Sequence, residues 1–279
     1  MRRRFPCGAV ADGTSVIGPT LAIQSWREPP VGGTLASVAE VPEDRPLFTV
    51  VVPTFNREAH IGRCLDSVVS QDFDDLQVVV VDNCSTDGTR ELLNDGSWPD
   101  TVIILNERNI GKSGSIRTAI KRLSGDYAVI QDADLEYHPD QLPLLLRKAQ
   151  TEGAVAVLGS RVLGGRPQYI YFHAFLGVRM LTALTNLLYG SQLTDVATAI
   201  KMVRSDVLKS LHLDGNGFEL DFELVDKLLL AGHNVHEVPL HYQPRSYLQG
   251  KKIRVVDGVR ALRVILRDRM GLSPVFHER

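Results

Sequence analysis

The feature that most constrains this chain is an alternation of short, wholly apolar runs with segments whose apolar residues recur at helical spacing. Phe48-Thr49-Val50-Val51-Val52 is a β-branched run closed by Pro53. A run with so few polar positions fits a strand buried on both faces. Ile61, Leu65, Val68 and Val69 follow at i, i+4, i+7 and i+8, one face of a helix. A second apolar strand at 78–81 ends in Asp82, and a short helix around 91–93 leads to a third strand at 102–105. Ile116, Ala119, Ile120 and Leu123 mark the next helix, and a fourth strand at 127–130 ends in Gln131-Asp132-Ala133-Asp134. Leu142, Leu145, Leu146 and Ala149 repeat the helix spacing before a fifth strand at 154–158. Gly164-Gly165-Arg166-Pro167 carries the composition of a mobile loop. Beyond it the pattern predicts a long helix near 174–188, a strand near 197–203 and a helix over 218–230. A strand near 235–241 and a last helix near 256–270 finish the chain.

Such alternation demands right-handed βαβ crossovers, hence an α/β fold with a mostly parallel sheet and helices on both faces. Ligands of these sheets bind beyond the carboxyl ends of the strands. Residues 53–58, 82–89 and 132–136 therefore belong to one rim.

Composition sets the outer limits. Residues 1–46 hold six of the fourteen prolines and five glycines without sustained periodicity, so a flexible N-terminal tail is expected there. The folded domain is expected over 47–254, and a basic amphipathic helix and tail over 255–279. A net charge of −2 argues against a nucleic-acid partner, yet residues 245–279 carry nine basic and three acidic side chains. Three cysteines without pairing or metal spacing fit a reducing cytosol. No apolar run is long enough to span a bilayer. Arg2-Arg3-Arg4-Phe5 resembles a twin-arginine start, but Asp12, Gly13, Gly18 and Pro19 break any signal core after it. A cytoplasmic protein without a transmembrane segment is the expectation.

Chemistry concentrates at the strand ends. In Asp132-Ala133-Asp134-Leu135-Glu136, two carboxylates two residues apart at a strand end can converge on one hard cation, Mg²⁺ or Mn²⁺, that bridges to phosphate oxygens. A nucleoside diphosphate leaves readily only when its developing charge is neutralised. The plainer reading is a solvated turn with an Asp capping the next helix, and the shared rim favours the site. Asp82 can accept hydrogen bonds from a base or a ribose hydroxyl, whereas Ser85 and Asp87 serve equally as caps of the following helix. Asn109-Ile110-Gly111-Lys112-Ser113 is no phosphate loop, because Asn106 stands where the first glycine is required. Gly111 still opens a helix whose N–H groups can face an anion, with Lys112 and Arg117 adding charge. His233, His236 and His241 lack an acidic or Cys partner and are not expected to bind metal.

Glu219, Asp221 and Glu223 open a helix whose Phe218, Phe222, Val225 and Leu229 face the core, with Glu219 and Glu223 together on the opposite face. They either face a site or form a solvated acidic first turn favoured by the helix dipole. Arg245, Lys251 and Lys252, with Gly250 between, suit an anionic acceptor or a diphosphate. The last helix sets Val255, Val259, Leu262 and Leu266 on one side and Arg260, Arg263 and Arg267 on another. That pattern fits an anionic membrane surface, or a helix packed on the body with its arginines solvated.

As an ordered set, Val51–Glu58, Val81–Thr89, Gly111-Lys112 with Gly125-Asp126, Asp132–Glu136 with Pro139, Gly159-Ser160-Arg161, Leu193-Thr194-Asp195 and Glu237-Val238-Pro239 resemble the inverting family 2 glycosyltransferases. The branch most similar is that of the dolichyl-phosphate mannosyltransferases and their bacterial polyprenyl-phosphate relatives. The resemblance covers about residues 47–260. It implies a GT-A fold, a Rossmann-like single domain. It implies that Pro53, Thr54, Glu58 and Asp82 line the nucleoside pocket, with Asn56, Ser85, Asp87, Gly111, Lys112 and Ala133 in the donor-binding set. It implies Asp132, Asp134 and Glu136 at the metal positions, Arg161 on the diphosphate, and Arg245 with Lys251 or Lys252 on a lipid phosphate. Ala199-Ile200-Lys201 stands where the eukaryotic enzymes have Gly-Phe-Arg, and Gly250-Lys251-Lys252 replaces their Gly-x-Ser-Lys.

The function so implied is metal-dependent, inverting transfer of a hexose from a nucleotide sugar of the GDP-mannose or UDP-glucose type to polyprenyl phosphate, at the cytoplasmic face of a membrane. Asp132, Asp134, Asp221 and Arg245 are the expected catalytic residues. A hydroxyl acceptor on a soluble metabolite or polysaccharide would instead need a base, Asp221 or Glu219. A non-catalytic nucleotide-binding protein is the reading from another class, and the Asp132/Asp134 pair speaks against it.

Overall fold

The computed structural model describes residues 47–71, 75–164, 169–245 and 255–277. The expected tail at 1–46, the loop residues Gly165, Arg166 and Pro167, and Lys251 and Lys252 lie outside the described residues.

The elements run β1 (Phe48–Thr54), α1 (Glu58–Val69), β2 (Leu76–Asp82), α2 (Thr89–Leu93), β3 (Thr101–Leu105), α3 (Gly111–Ile120) and β4 (Tyr127–Ile130). They continue with α4 (Leu142–Glu152), β5 (Ala156–Ser160), α5 (Phe172–Tyr189), β6 (Lys201–Arg204), α6 (Ser205–Ser210), α7 (Leu220–Leu230), β7 (Val235–Pro239) and α8 (Val255–Arg269). The sheet order is β3-β2-β1-β4-β6-β5-β7. Among the described strands only β6 runs antiparallel to its neighbours, β4 and β5. The strand expected near 197–203 is thus shorter and starts later, and α6 follows it without a break.

The apolar run of β1 explains the layering. Phe48, Val50 and Val52 point to one face and pack with Ile61, Leu65 and Val68 of α1 and Leu142, Leu145 and Leu146 of α4. Val51 points to the other face, joining Ile116 and Ala119 of α3 and Leu220, Leu224 and Leu228 of α7. Period-two alternation thus buries both sides, and each such side chain contributes about 1.5–3 kcal/mol. A third cluster joins Phe222 and Val225 of α7 to Ala261 and Ile265 of α8, with Leu181, Leu184 and Leu188 of α5 packed against it.

Two local choices shape the rim. Gly111 starts α3 at φ 77°, where a Cβ would strike the Asn216 carbonyl; only glycine joins α3 to the 214–219 loop this closely. Gly125 lies so near the Phe48 backbone that a Cβ would come within 2.6 Å of it.

The acidic start of α7 has no solvated face. Residues Leu220 through Leu228 are all buried, because α7 is covered by the sheet on one side and α8 on the other. Glu223 accepts hydrogen bonds from the Asp214 and Gly215 N–H groups at 3.1 and 2.9 Å and pairs with Lys227 at 3.2 Å and Arg267 at 2.9 Å. It is a fastening of the preceding loop.

Candidate active site

The parallel strands β1, β2 and β4 end on one side of the sheet, as their registers Thr54↔Asp82 and Val51↔Ile130 require. A cleft of about 350 Å³ opens beyond them, within the range that holds a small ligand. Its wall includes Pro53, Thr54, Gly111, Lys112, Asp132, Ala133, Asp134, Glu136, Arg161, Asp221 and Arg245, all anticipated from the sequence.

The chain leaving β4 turns sharply, with Leu135 in the left-handed region at φ 60°. For a residue with a Cβ this conformation costs about 1–2 kcal/mol, a strain that recurs at functional turns. Asp132 takes the Lys112 ammonium at 2.9 Å. Arg245 reaches across the cleft, bonding Asp134 through Nη2 and Glu136 through Nε at 3.0 Å. Glu136 is further held by the Tyr242 hydroxyl at 2.8 Å and the Arg245 N–H at 3.1 Å. Among the described residues no three His, Cys, Asp or Glu side chains stand together as a ready-made metal cage. Burial, then the charges of Asp132 and Glu136, push the Asp134 carboxyl up to about 6 against the opposing pull of Arg245.

Asp221 lies between two ammoniums, Lys201 at 3.0 Å and Lys112 at 4.0 Å. Burial pulls the Lys201 ammonium down, and Asp221 works against it. For Lys112 the balance goes the other way: Asp132 and Asp221 outweigh burial and leave it raised. Glu219 turns back on its own loop, accepting from the Asn216 and Gly217 N–H groups at 2.8 and 2.9 Å.

Asp82 is fully buried at the end of β2. One of its oxygens accepts from Arg90 Nε at 2.6 Å and the Ser85 N–H at 3.1 Å. Its other oxygen, and the hydroxyl of its register neighbour Thr54, have no hydrogen-bond partner among the described residues. Thr54 lines the cleft and Asp82, expected in the nucleoside pocket, does not; a buried polar atom left open is costly.

Other expected residues hold the rim together. Asn56, Glu58, Ser85 and Asp87 tie the β1–α1 and β2–α2 loops to each other: the Asn56 N–H donates to Ser85, the Glu58 N–H to Asp87 and the Gly88 N–H to Glu58. None of the four lines the cleft. Arg161 does line it, but its guanidinium grips Asp195 bidentately at 2.6 and 2.7 Å and lies over the rings of Tyr169 and Tyr242. Arg117 bonds the Gly215 carbonyl.

Sequence reasoning missed the amides and rings of the wall. Asn83 donates to Asn109 at 2.8 Å and accepts the Ile110 N–H at 2.8 Å, shaping the entry to α3. Phe55, Phe218 and Tyr137 also line the cleft, so Phe218, expected to face the core, faces the site. Lys201 was also missed as a site residue, although a lone cation in an apolar strand pattern signals a buried ion pair.

The model of the family described as glycosyl transferase family 2 matches residues 49–211. This chain belongs to that family. It is 28% identical over 233 residues to the low-salt glycan biosynthesis hexosyltransferase Agl6 of Haloferax volcanii, a match spanning 81% of this chain and 54% of that one. It thus spans about half the length of that relative. Among solved structures, glucosyl-3-phosphoglycerate synthase from Mycobacterium tuberculosis in complex with Mn²⁺, uridine diphosphate and phosphoglyceric acid superposes with a TM-score of 0.62 at 21% identity. That match covers 83% of this chain and 80% of the other. The same synthase with Mg²⁺ and uridine diphosphate gives a TM-score of 0.62 at 22% identity, covering 83% and 81%. The expected GT-A fold is borne out. Among the described residues no helix is long and apolar enough to cross a membrane.

Proposed function

We propose that this chain is a metal-assisted, inverting hexosyltransferase that draws on a nucleotide sugar and delivers the hexose to a polyprenyl phosphate. The observation that carries the reading is the Asp132/Asp134 pair at the end of β4, facing a cleft in which Lys112 and Arg245 are the cations paired with it. Hard carboxylate oxygens suit Mg²⁺ or Mn²⁺, and Asp134, raised by burial and then by the charges of Asp132 and Glu136, gains from a cation placed beside it. Asp132 and Asp134 would hold the ion. Glu136 is engaged by Tyr242 and Arg245 and acts from behind, orienting the arginine. The ion, when bound, supplies charge neutralisation for the departing nucleoside diphosphate.

The remaining chemistry falls to this chain's own groups. The Thr54 hydroxyl, which lines the cleft without a partner, meets the nucleoside, and Lys112 and Arg245 attract the phosphates. The acceptor attacks the anomeric carbon from the face opposite the leaving group. A phosphate acceptor is already ionised at neutral pH and needs no general base. This matches the commitments of the two carboxylates that a hydroxyl acceptor would require: Asp221 is paired with lysines and Glu219 with its own loop.

The test is a screen of GDP-mannose, UDP-glucose and UDP-N-acetylglucosamine with Mn²⁺ or Mg²⁺, with and without polyprenyl phosphate. Product formation that requires polyprenyl phosphate is expected. Transfer only to a soluble hydroxyl acceptor, as on phosphoglyceric acid, would overturn the acceptor, and no donor turnover at all would overturn the enzyme reading.

A further inference from the structure

The last helix meets the body with a different side from the one its longest apolar stripe occupies. α8 packs through Ala261, Val264 and Ile265. Val255, Val259, Leu262, Leu266 and Met270, spaced i, i+4, i+7, i+11 and i+15, all face solvent. Val255 is 84% and Met270 64% exposed. Its neighbour α5 does the same: Leu181, Leu184 and Leu188 turn inward, while Phe172, Leu176, Met180 and Leu187 form an outer stripe, with Phe172 at 76%, Met180 at 65% and Leu187 at 80%. The two helices lie against each other, joined by the Tyr189 hydroxyl bonding the Ile265 carbonyl at 2.7 Å. Single exposed apolar residues are ordinary; two continuous stripes on adjacent helices are not.

The charges around these stripes are of one sign. α5 contains no Asp or Glu, and its exposed ionisable residues are His173 and Arg179. The only acids of α8 are Asp257, which is largely covered, and Asp268, which is buried; Arg260, Arg263 and Arg269 are exposed. By helical spacing Arg179 and His173 flank the α5 stripe, and Arg263 and Arg269 flank that of α8. We propose that the outer faces of α5 and α8 together form a docking surface for an anionic lipid bilayer, with the apolar stripes entering the headgroup boundary and the arginines meeting lipid phosphates. A two-fold pairing with a second copy fits less well, since it sets arginines against arginines with no exposed carboxylate on either helix to answer them. The docking is independent of the transfer reaction, although Asp257 and Arg260 of α8 also line the cleft, so a bilayer held here adjoins its wall.

The test uses the full chain and sedimentation with phosphatidylcholine vesicles, with and without phosphatidylglycerol. Wild type is expected to sediment with the anionic vesicles and to be released by salt. The double variants Met180→Glu/Leu187→Glu and Val259→Glu/Met270→Glu should each lose about tenfold or more in partition with unchanged melting temperature. Four results would overturn the proposal: no wild-type binding, equal binding to both vesicle types, unchanged binding by folded variants, or a wild-type dimer that ignores vesicles and that the variants split into monomers.

Discussion

Asp134 carries the least favourably placed charge in the cleft, and its replacement separates binding chemistry from fold. Asp134→Asn keeps the shape and removes the charge that burial, Asp132 and Glu136 disfavour. The variant should melt no lower than wild type, while transfer drops by about 100-fold or more, the scale of losing one electrostatic contact to a developing charge. Near-wild-type transfer would remove Asp134 from the mechanism. Asp226 poses a question of stability. It is fully buried on α7 with neither oxygen hydrogen-bonded among the described residues. Burial, then Asp268 and Glu223, raise it from 3.8 to about 8 against the pull of Arg267. Between those values the folded protein keeps a proton that the unfolded chain has released. Stability therefore falls as pH rises through this window, by up to about 1.4 kcal/mol per pH unit. Asp226→Asn removes the slope, so its melting temperature should exceed wild type at pH 8 and match it near pH 4. Melts showing the same offset at both pH values would sink the assignment. The cleft carboxylates were legible in the sequence because strand-end position and residue type coincide there. Asp226, Lys201 and the Arg161–Asp195 pair were not, because their character comes from partners distant in the chain.

At the scale of elements, periodicity located nearly every helix and strand but was blind to direction and to choice of face. A short apolar run reads the same whether its strand runs parallel or antiparallel, so the reversal of β6 had no local signal. α8 offers two apolar stripes, and only packing against α5 and α7 selects the smaller one. The same selection turns Arg267 away from the exposed arginines of its helix. Its guanidinium joins Asp214 at 2.6 Å, Glu223 at 2.9 Å and Asp268 at 2.7 Å, whereas Arg263 is exposed. Arg267→Ala should destabilise the protein by about 3–5 kcal/mol, since it leaves buried Asp268 without its ion-pair partner and Glu223 with Lys227 alone. Arg263→Ala should stay within about 0.5 kcal/mol. Equal effects in denaturant titrations would contradict this division.

For the molecule as a whole, the metal reading separates activity from stability. When no cation is bound, Lys112 and Arg245 already balance the acidic turn. EDTA should therefore abolish transfer while leaving the melting temperature unchanged, and Mn²⁺ or Mg²⁺ should restore it. Transfer that survives chelation would refute the role of the ion. The span of the Arg245 contacts carries one more consequence. The arginine lies 111 residues beyond Asp134 and 109 beyond Glu136, while β1, β2, β3 and β4 pair with one another before β5 begins. As the polypeptide leaves the ribosome, the first four strands can associate early, and their acidic turn waits without its partner until Arg245 has been made. The order of synthesis thus completes the site after the strands that carry it, and a product that stops before Arg245 keeps the sheet's beginnings without the means to close the cleft.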